Sequence, residues 1–197
     1  MEIAPGIQAT SWLNLDLEQS PDSPSWATAR DIFRRRIAGR YLDPVAVLVA
    51  AESDMPALRR RFGFAVLAID CLLVETLQAF RWGVRHTKYR SREAFQTFLT
   101  ERPGFSPHFD SKAANQFYDD YRCGILHQAE VAGASLVWTV GDLVQRNRAG
   151  LIVNRTMFHD TLVAEIELYI EALKAVGEET LRANFRAKMD YIAAASA

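Results

Sequence analysis

One stretch limits the fold more than any other. From Pro56 to Trp82 the chain reads PALRRRFGFAVLAIDCLLVETLQAFRW, and between Phe62 and Leu77 it is apolar almost all the way round. A helix without a polar face is buried on most sides, so the rest of the chain has to wrap it. Gly83 is its expected stop. The longest apolar run, Phe62 to Val74, is interrupted by Asp70 and falls short of the roughly 20 residues a membrane span needs. Asp70 and Glu75 are the two acids of this helix, and a buried carboxylate requires a partner. Glu75 shares a stripe with Phe64, Ala68 and Cys71, which makes it the expected inward-facing acid.

The flanking segments supply the wrapping. Residues 1–24 hold Pro5, Pro21 and Pro24 among scattered apolar side chains and read as an irregular N-terminal arm, since proline denies a helix its hydrogen bonds. A single helical domain then covers 25–197. Ser25 is placed to cap a first helix ending near Tyr41, where Leu42-Asp43-Pro44 pushes the chain out of the α region. Ser91 opens a third helix with Phe95, Phe98 and Leu99 on one stripe. Ser111 opens a fourth that carries Ala114, Phe117, Tyr118 and Tyr121 towards Arg122. SLVWTV at 135–140 and Leu151–Asn154 read as the two strands of a small hairpin, with turn signals at Gly141-Asp142 and Arg148–Gly150. The last helix starts near Asp160, with Leu162, Val163, Ile166, Tyr169, Ile170 and Leu173 inward, and resumes after Gly177. The pattern predicts an all-α fold, a bundle of about five helices with a small β-hairpin inserted before the last.

Composition narrows the class further. Apolar residues make up 49% and charged residues 24%, which excludes a disordered chain, a collagen and a coiled-coil rod. The net charge of −1 excludes a surface that is basic throughout, although residues 30–102 are basic and the remainder acidic. Two cysteines, Cys71 and Cys123, make no disulfide framework and fit a reducing compartment. Residues 1–29 contain no Lys or Arg, so the basic start of a secretory signal is missing. The expected location is cytoplasmic.

There is no glycine-rich phosphate loop, paired-cysteine zinc pattern, His-Glu-x-x-His helix or Gly-x-Ser-x-Gly elbow. Neither a metal nor a cofactor is expected. One segment stands out: Phe117-Tyr-Asp-Asp-Tyr-Arg122-Cys-Gly-Ile-Leu-His127-Gln-Ala-Glu130 sets an arginine and a histidine five positions apart at a helix end, after an aromatic run. Arg81/His86 and Arg102/His108 have comparable spacing, but not that position. Arg122-x-x-x-x-His127, late in a small helical bundle, resembles the motif of the HEPN superfamily. The resemblance covers about residues 60–175, where LLVETLQAFRWG and VNRTMFHDTL are also similar to bacterial proteins near that superfamily. The family favours a polar residue, commonly Asn, directly after the arginine; here it is Cys123.

The resemblance implies a metal-independent ribonuclease or RNA-binding protein of a bacterial defence or stress system, similar to toxin–antitoxin pairs. It implies a homodimer, an RNA substrate, an antitoxin or other protein partner, and no membrane. His127 would be the general acid–base on the 2′-hydroxyl or the leaving oxygen. Arg122 would hold the scissile phosphate with its planar fork. Glu75, Asp70 and Tyr118 are supporting candidates, and the loop carrying Arg85, Lys88, Arg90 and Arg92 is the expected RNA contact. In one straight α-helix five residues subtend about 140°, so Arg122 and His127 are expected to meet only through a bend at Gly124 or across a dimer. The structural alternative pairs Arg122 with an acid of the second helix and buries His127 against a carbonyl. The chain would then be a catalytically silent helical dimer, a scaffold or regulatory partner.

Overall fold

The computed structural model describes residues 1–148 and 150–196. Ala149, inside the expected Arg148–Gly150 turn, and Ala197 at the end of the expected domain lie outside the described residues. Helix dominates: the described residues form seven continuous helical runs and two small sheets. The chain groups into two compact units, one of residues 1–44, 79–86 and 166–197, the other of residues 45–78 and 87–165.

In the first unit, residues 1–24 are more regular than their prolines imply. β1 (Glu2–Ala4) and β2 (Ile7–Gln8) pair antiparallel across Gly6, whose φ is 73°, and α1 (Ala9–Leu13) buries Trp12. The prolines fall where no helical N–H is needed. Pro24 is the first residue of α2 (Pro24–Ile37), and the cap is Ser23 rather than Ser25, its hydroxyl accepting from the Trp26 N–H at 3.4 Å. The helix does not end at Leu42-Asp43-Pro44. It widens into a π segment (Ala38–Leu42) and continues as α3 (Asp43–Ala50), so Pro44 sits in the first turn of a new α segment, where its missing N–H costs little. Phe33, Phe80 and Phe185 form the aromatic centre of this unit, with Phe33 4.8 Å from Phe80 and 5.6 Å from Phe185. Phe185 lies on α9 (Glu179–Ala194), which resumes after Gly177 as the sequence suggests.

The second unit takes residues 63–78 of α4 (Gly63–Trp82). The expected start at Pro56 is displaced because Ala57–Arg59 form a 3-10 turn. The true start is closed by Glu52, whose Oε2 accepts from the N–H groups of Arg61 and Phe62 at 2.8 and 3.2 Å. At 20 residues α4 is long and apolar enough to cross a membrane, and 56% of it is buried within the protein. α5 (Ser91–Glu101) buries Phe95, Phe98 and Leu99. α6 (Ser111–Phe117), a second π segment (Tyr118–Cys123) and α7 (Gly124–Gln128) make one continuous run. The Phe117 ring stacks between Phe158 and Tyr121, 5.0 and 4.9 Å away.

The expected single hairpin is wrong in its pairing. β3 (Leu136–Trp138) lies parallel to β5 (Leu151–Asn154), and β4 (Val144–Arg146) lies antiparallel on the other side of β5. The hairpin is therefore β4–β5, and β5 enters between the two earlier strands. Tyr121 fixes this order: its hydroxyl lies 2.8 and 2.7 Å from the carbonyls of Leu136 and Leu151, tying β3 and β5 to the π segment. β5 runs directly into α8 (Arg155–Ala172), whose first N–H groups are capped by Asn154 Oδ1. That cap starts the helix ahead of the expected Asp160.

Candidate functional site

The second π segment decides where Arg122 points. Phe117 faces the buried core, and in an α-helix a side chain five positions on would lie about 140° away from it. A turn closed by i→i+5 bonds holds one more residue, which brings position i+5 back over position i. Arg122 is thereby returned to the inner side of the run, where α4 presents Glu75. Its Nη2 donates to Glu75 Oε2 at 3.2 Å, and its Nη1 lies 3.4 Å from His127 Nε2. The two motif side chains thus converge within one chain. Gly124 does not bend, its φ and ψ being −59° and −55°. It is glycine for room: a Cβ there would stand 2.5 Å from the Glu130 carbonyl oxygen. His127 is exposed, not buried against a carbonyl.

Glu75 is held from three sides. Besides Arg122, its Oε1 accepts from the hydroxyls of Thr87 and of Ser91, the latter at 2.6 Å. Thr87 and Ser91 are site residues that the sequence did not disclose: Ser91 reads as a helix cap, and nothing marks Thr87. The Arg122 and Glu75 side chains are 18% and 19% exposed, so the pair is sheltered yet open to a ligand. Burial draws the Arg122 guanidinium down, but the Glu75 carboxylate and Tyr118 outweigh it and leave it above its ordinary value. Tyr118 lies between two guanidinium groups, that of Arg92 4.7 Å and that of Arg122 5.5 Å from its ring centre. Burial raises its phenol above the usual value. In the tautomer protonated at Nδ1, His127 Nε2 accepts from Arg122 Nη1, and its lone pair is freed when that guanidinium nitrogen turns to a ligand.

The other candidates are dispersed. Asp70 is fully buried, more deeply than Glu75, which reverses the order expected from the stripe. It takes no part in the Arg122 group. Its Oδ1 bonds His159 Nδ1 at 2.8 Å, its Oδ2 has no partner, and burial raises its carboxyl above the usual range. His159 is thus the partner of a buried acid. In the basic loop, Arg90 pairs with Glu93 and Arg92 with Asp119, while the Lys88 ammonium lies 5.0 Å over Tyr89. Arg85 belongs to the first unit, where its guanidinium covers Tyr191 at 4.4 Å. These four residues therefore do not form one free basic strip, because acids on neighbouring turns neutralise two of them. No group of three or more metal-ligating side chains occurs among the described residues. Comparison with family models, curated proteins and solved structures gives no match.

Proposed function

We propose that the protein is an HEPN-like, metal-independent endoribonuclease of a bacterial defence or stress system, acting as a homodimer. The carrying observation is the row Glu75–Arg122–His127, in which a carboxylate pins one end of the guanidinium and leaves the other 3.4 Å from an exposed imidazole nitrogen. His127 takes the proton of an RNA 2′-hydroxyl, and the freed oxygen attacks the adjacent phosphorus. The 5′-oxygen leaves with the proton that the His127 imidazolium returns to it, giving a 2′,3′-cyclic phosphate and a 5′-hydroxyl end. Arg122 Nη1 bonds a phosphoryl oxygen and stabilises the charge that grows there. Because the nucleophile is internal to the RNA, this sequence of bonds requires no metal.

The ion pair itself favours the second reading, a catalytically silent helical dimer serving as scaffold or regulatory partner. Glu75 neutralises Arg122, and two arginines of the nearby loop are already matched by acids. An RNA cleavage assay in EDTA separates the two, with wild type beside folded His127→Ala. The ribonuclease predicts cyclic-phosphate ends from wild type and none from the variant. Intact RNA in both reactions would leave the scaffold.

A further inference from the structure

Five cations of the first unit meet carboxylates: Arg34 meets Glu167, Arg35 meets Asp31, Lys174 meets Glu171, Arg182 meets Glu179 and Arg186 meets Glu18. One group among the described residues differs. Arg36 and Arg40 donate to consecutive backbone carbonyls of β1, those of Ile3 and Glu2, the second at 2.9 Å. Lys188 donates to the Arg85 carbonyl, while the Arg85 guanidinium lies over the Tyr191 ring. The two pairs adjoin: Arg36 and Lys188 each stand about one helical turn beyond Phe33 and Phe185, whose ring centres are 5.6 Å apart. Burial lowers the proton affinity of Lys188 and the neighbouring charge of Arg36 lowers it further, and Arg36 is lowered in turn by burial and by Arg40. Tyr41 stands close enough to Arg36 to act on it in the opposite sense.

Like charges gathered beside carbonyls and ring faces, with no carboxylate ion pair to any of them among the described residues, are short of an anion. Guanidinium forks match phosphate oxygens two at a time, and aromatic rings set among cations offer faces for bases. We propose that Arg36, Arg40, Arg85 and Lys188 form a site for the phosphates of a single-stranded nucleic acid, with Tyr41 and Tyr191 beside it for a base. The choice of a nucleic acid rests on the ribonuclease proposal; the shortage of an anion does not.

The test is fluorescence anisotropy of a labelled oligothymidylate 12-mer in EDTA. A 2′-deoxy strand has no internal nucleophile, so binding is read with cleavage silent. Arg40→Gln/Arg85→Gln changes the two exposed members and spares the half-buried ones. The double variant is expected to bind at least about 10-fold more weakly, and its slope of log K against log salt to fall by about 1.4, from about 0.7 per lost phosphate contact on a single strand. Arg34→Gln/Arg35→Gln removes the same charge from carboxylate-paired positions of α2 and is expected to change affinity less than about 3-fold. Melting curves confirm that both doubles are folded. Equal losses in the two doubles, or no binding by wild type, overturn the site. ATP or pyrophosphate bound as tightly as the 12-mer overturns the strand in favour of a free phosphate compound. RNA cleavage with oligonucleotide binding indifferent to Arg40 and Arg85 removes this site and keeps the ribonuclease; binding without cleavage does the reverse.

Discussion

Two arginine–glutamate pairs in the second unit have the same chemistry and opposite surroundings. Arg155 and Glu52 are 1% exposed each, and Glu52 also closes the start of α4; Arg122 and Glu75 keep nearly a fifth of their surface and stand beside an exposed histidine. A pair sealed from water cannot exchange its partner, because either charge alone would be stranded. A pair that water still reaches can lend one end of its guanidinium to an incoming anion. The difference separates an ion pair that fastens two helix starts from one that an anion in solution can still reach.

The contrast is sharpest in stability. Arg155→Ala strands Glu52 and is expected to cost about 3–5 kcal/mol in chemical denaturation; a loss below about 1 kcal/mol would mean that Glu52 is solvated after all. The next largest effect belongs to another buried acid, Asp70. Asp70→Ala leaves His159 without its acceptor and is expected to cost about 1–3 kcal/mol, whereas Asp70→Asn keeps an acceptor and costs less. Asp70 also has a pH signature. Its folded carboxyl binds a proton more tightly than in the unfolded chain, so its contribution to stability is greatest in acid. That contribution declines as pH rises from the ordinary carboxylate value of about 4 through the raised one. Melting temperature followed between those values should lose this component of its slope in Asp70→Asn, and an unaltered slope would place the titration elsewhere.

At the open pair the stability cost is smaller and the activity cost larger. Arg122→Ala and Glu75→Ala are each expected to lose about 1–2 kcal/mol, because each leaves hydrogen-bonded partners of a sheltered charge unpaired while solvent still reaches them. Arg122→Ala should also reduce cleavage by roughly 10²–10³-fold, the usual worth of one donor to a developing oxyanion. A stability loss as large as that of Arg155→Ala would make the Arg122–Glu75 pair a second structural pin. His127→Ala, smallest of all, should leave the melting temperature where it was.

Much of the helical frame is legible from periodicity. The apolar stripe of α5 and all of that of α8 but half-buried Val163 name buried residues, whereas of the α4 stripe Phe64 is exposed and only Cys71 is buried; Gly83 and Gly177 mark where helices stop. Hydrogen-bond patterns that leave no trace in side-chain spacing are not legible. AGRYL and YDDYRC carry no mark that their turns hold five residues, yet these segments carry α2 past Pro44 and turn Arg122 inward. Strand order escapes for a similar reason: β-propensity identifies 136–138 and 151–154 as strands but cannot say that β5 pairs parallel with β3. Asp70 lies deeper than Glu75 because the inward face of α4 runs through Val66, Leu67, Leu73, Val74 and Leu77, whereas Phe64 and Ala68, which share the stripe of Glu75, are exposed and half-buried. His159, four positions into a helix that begins at Asn154's cap, was the hidden term.

The extra residue between Tyr118 and Cys123 has a genetic meaning. A single-codon insertion there, ahead of Arg122, would exceed what the one wide turn absorbs and, carried as ordinary α-helix, turn everything downstream by about 100°, taking the Arg122 guanidinium away from Glu75. No motif residue would be lost, and an alignment of such an allele would still display Arg122 and His127 at their proper separation. Inactive alleles of this protein can therefore keep the whole motif, with the lesion in the phase of the helix that bears it.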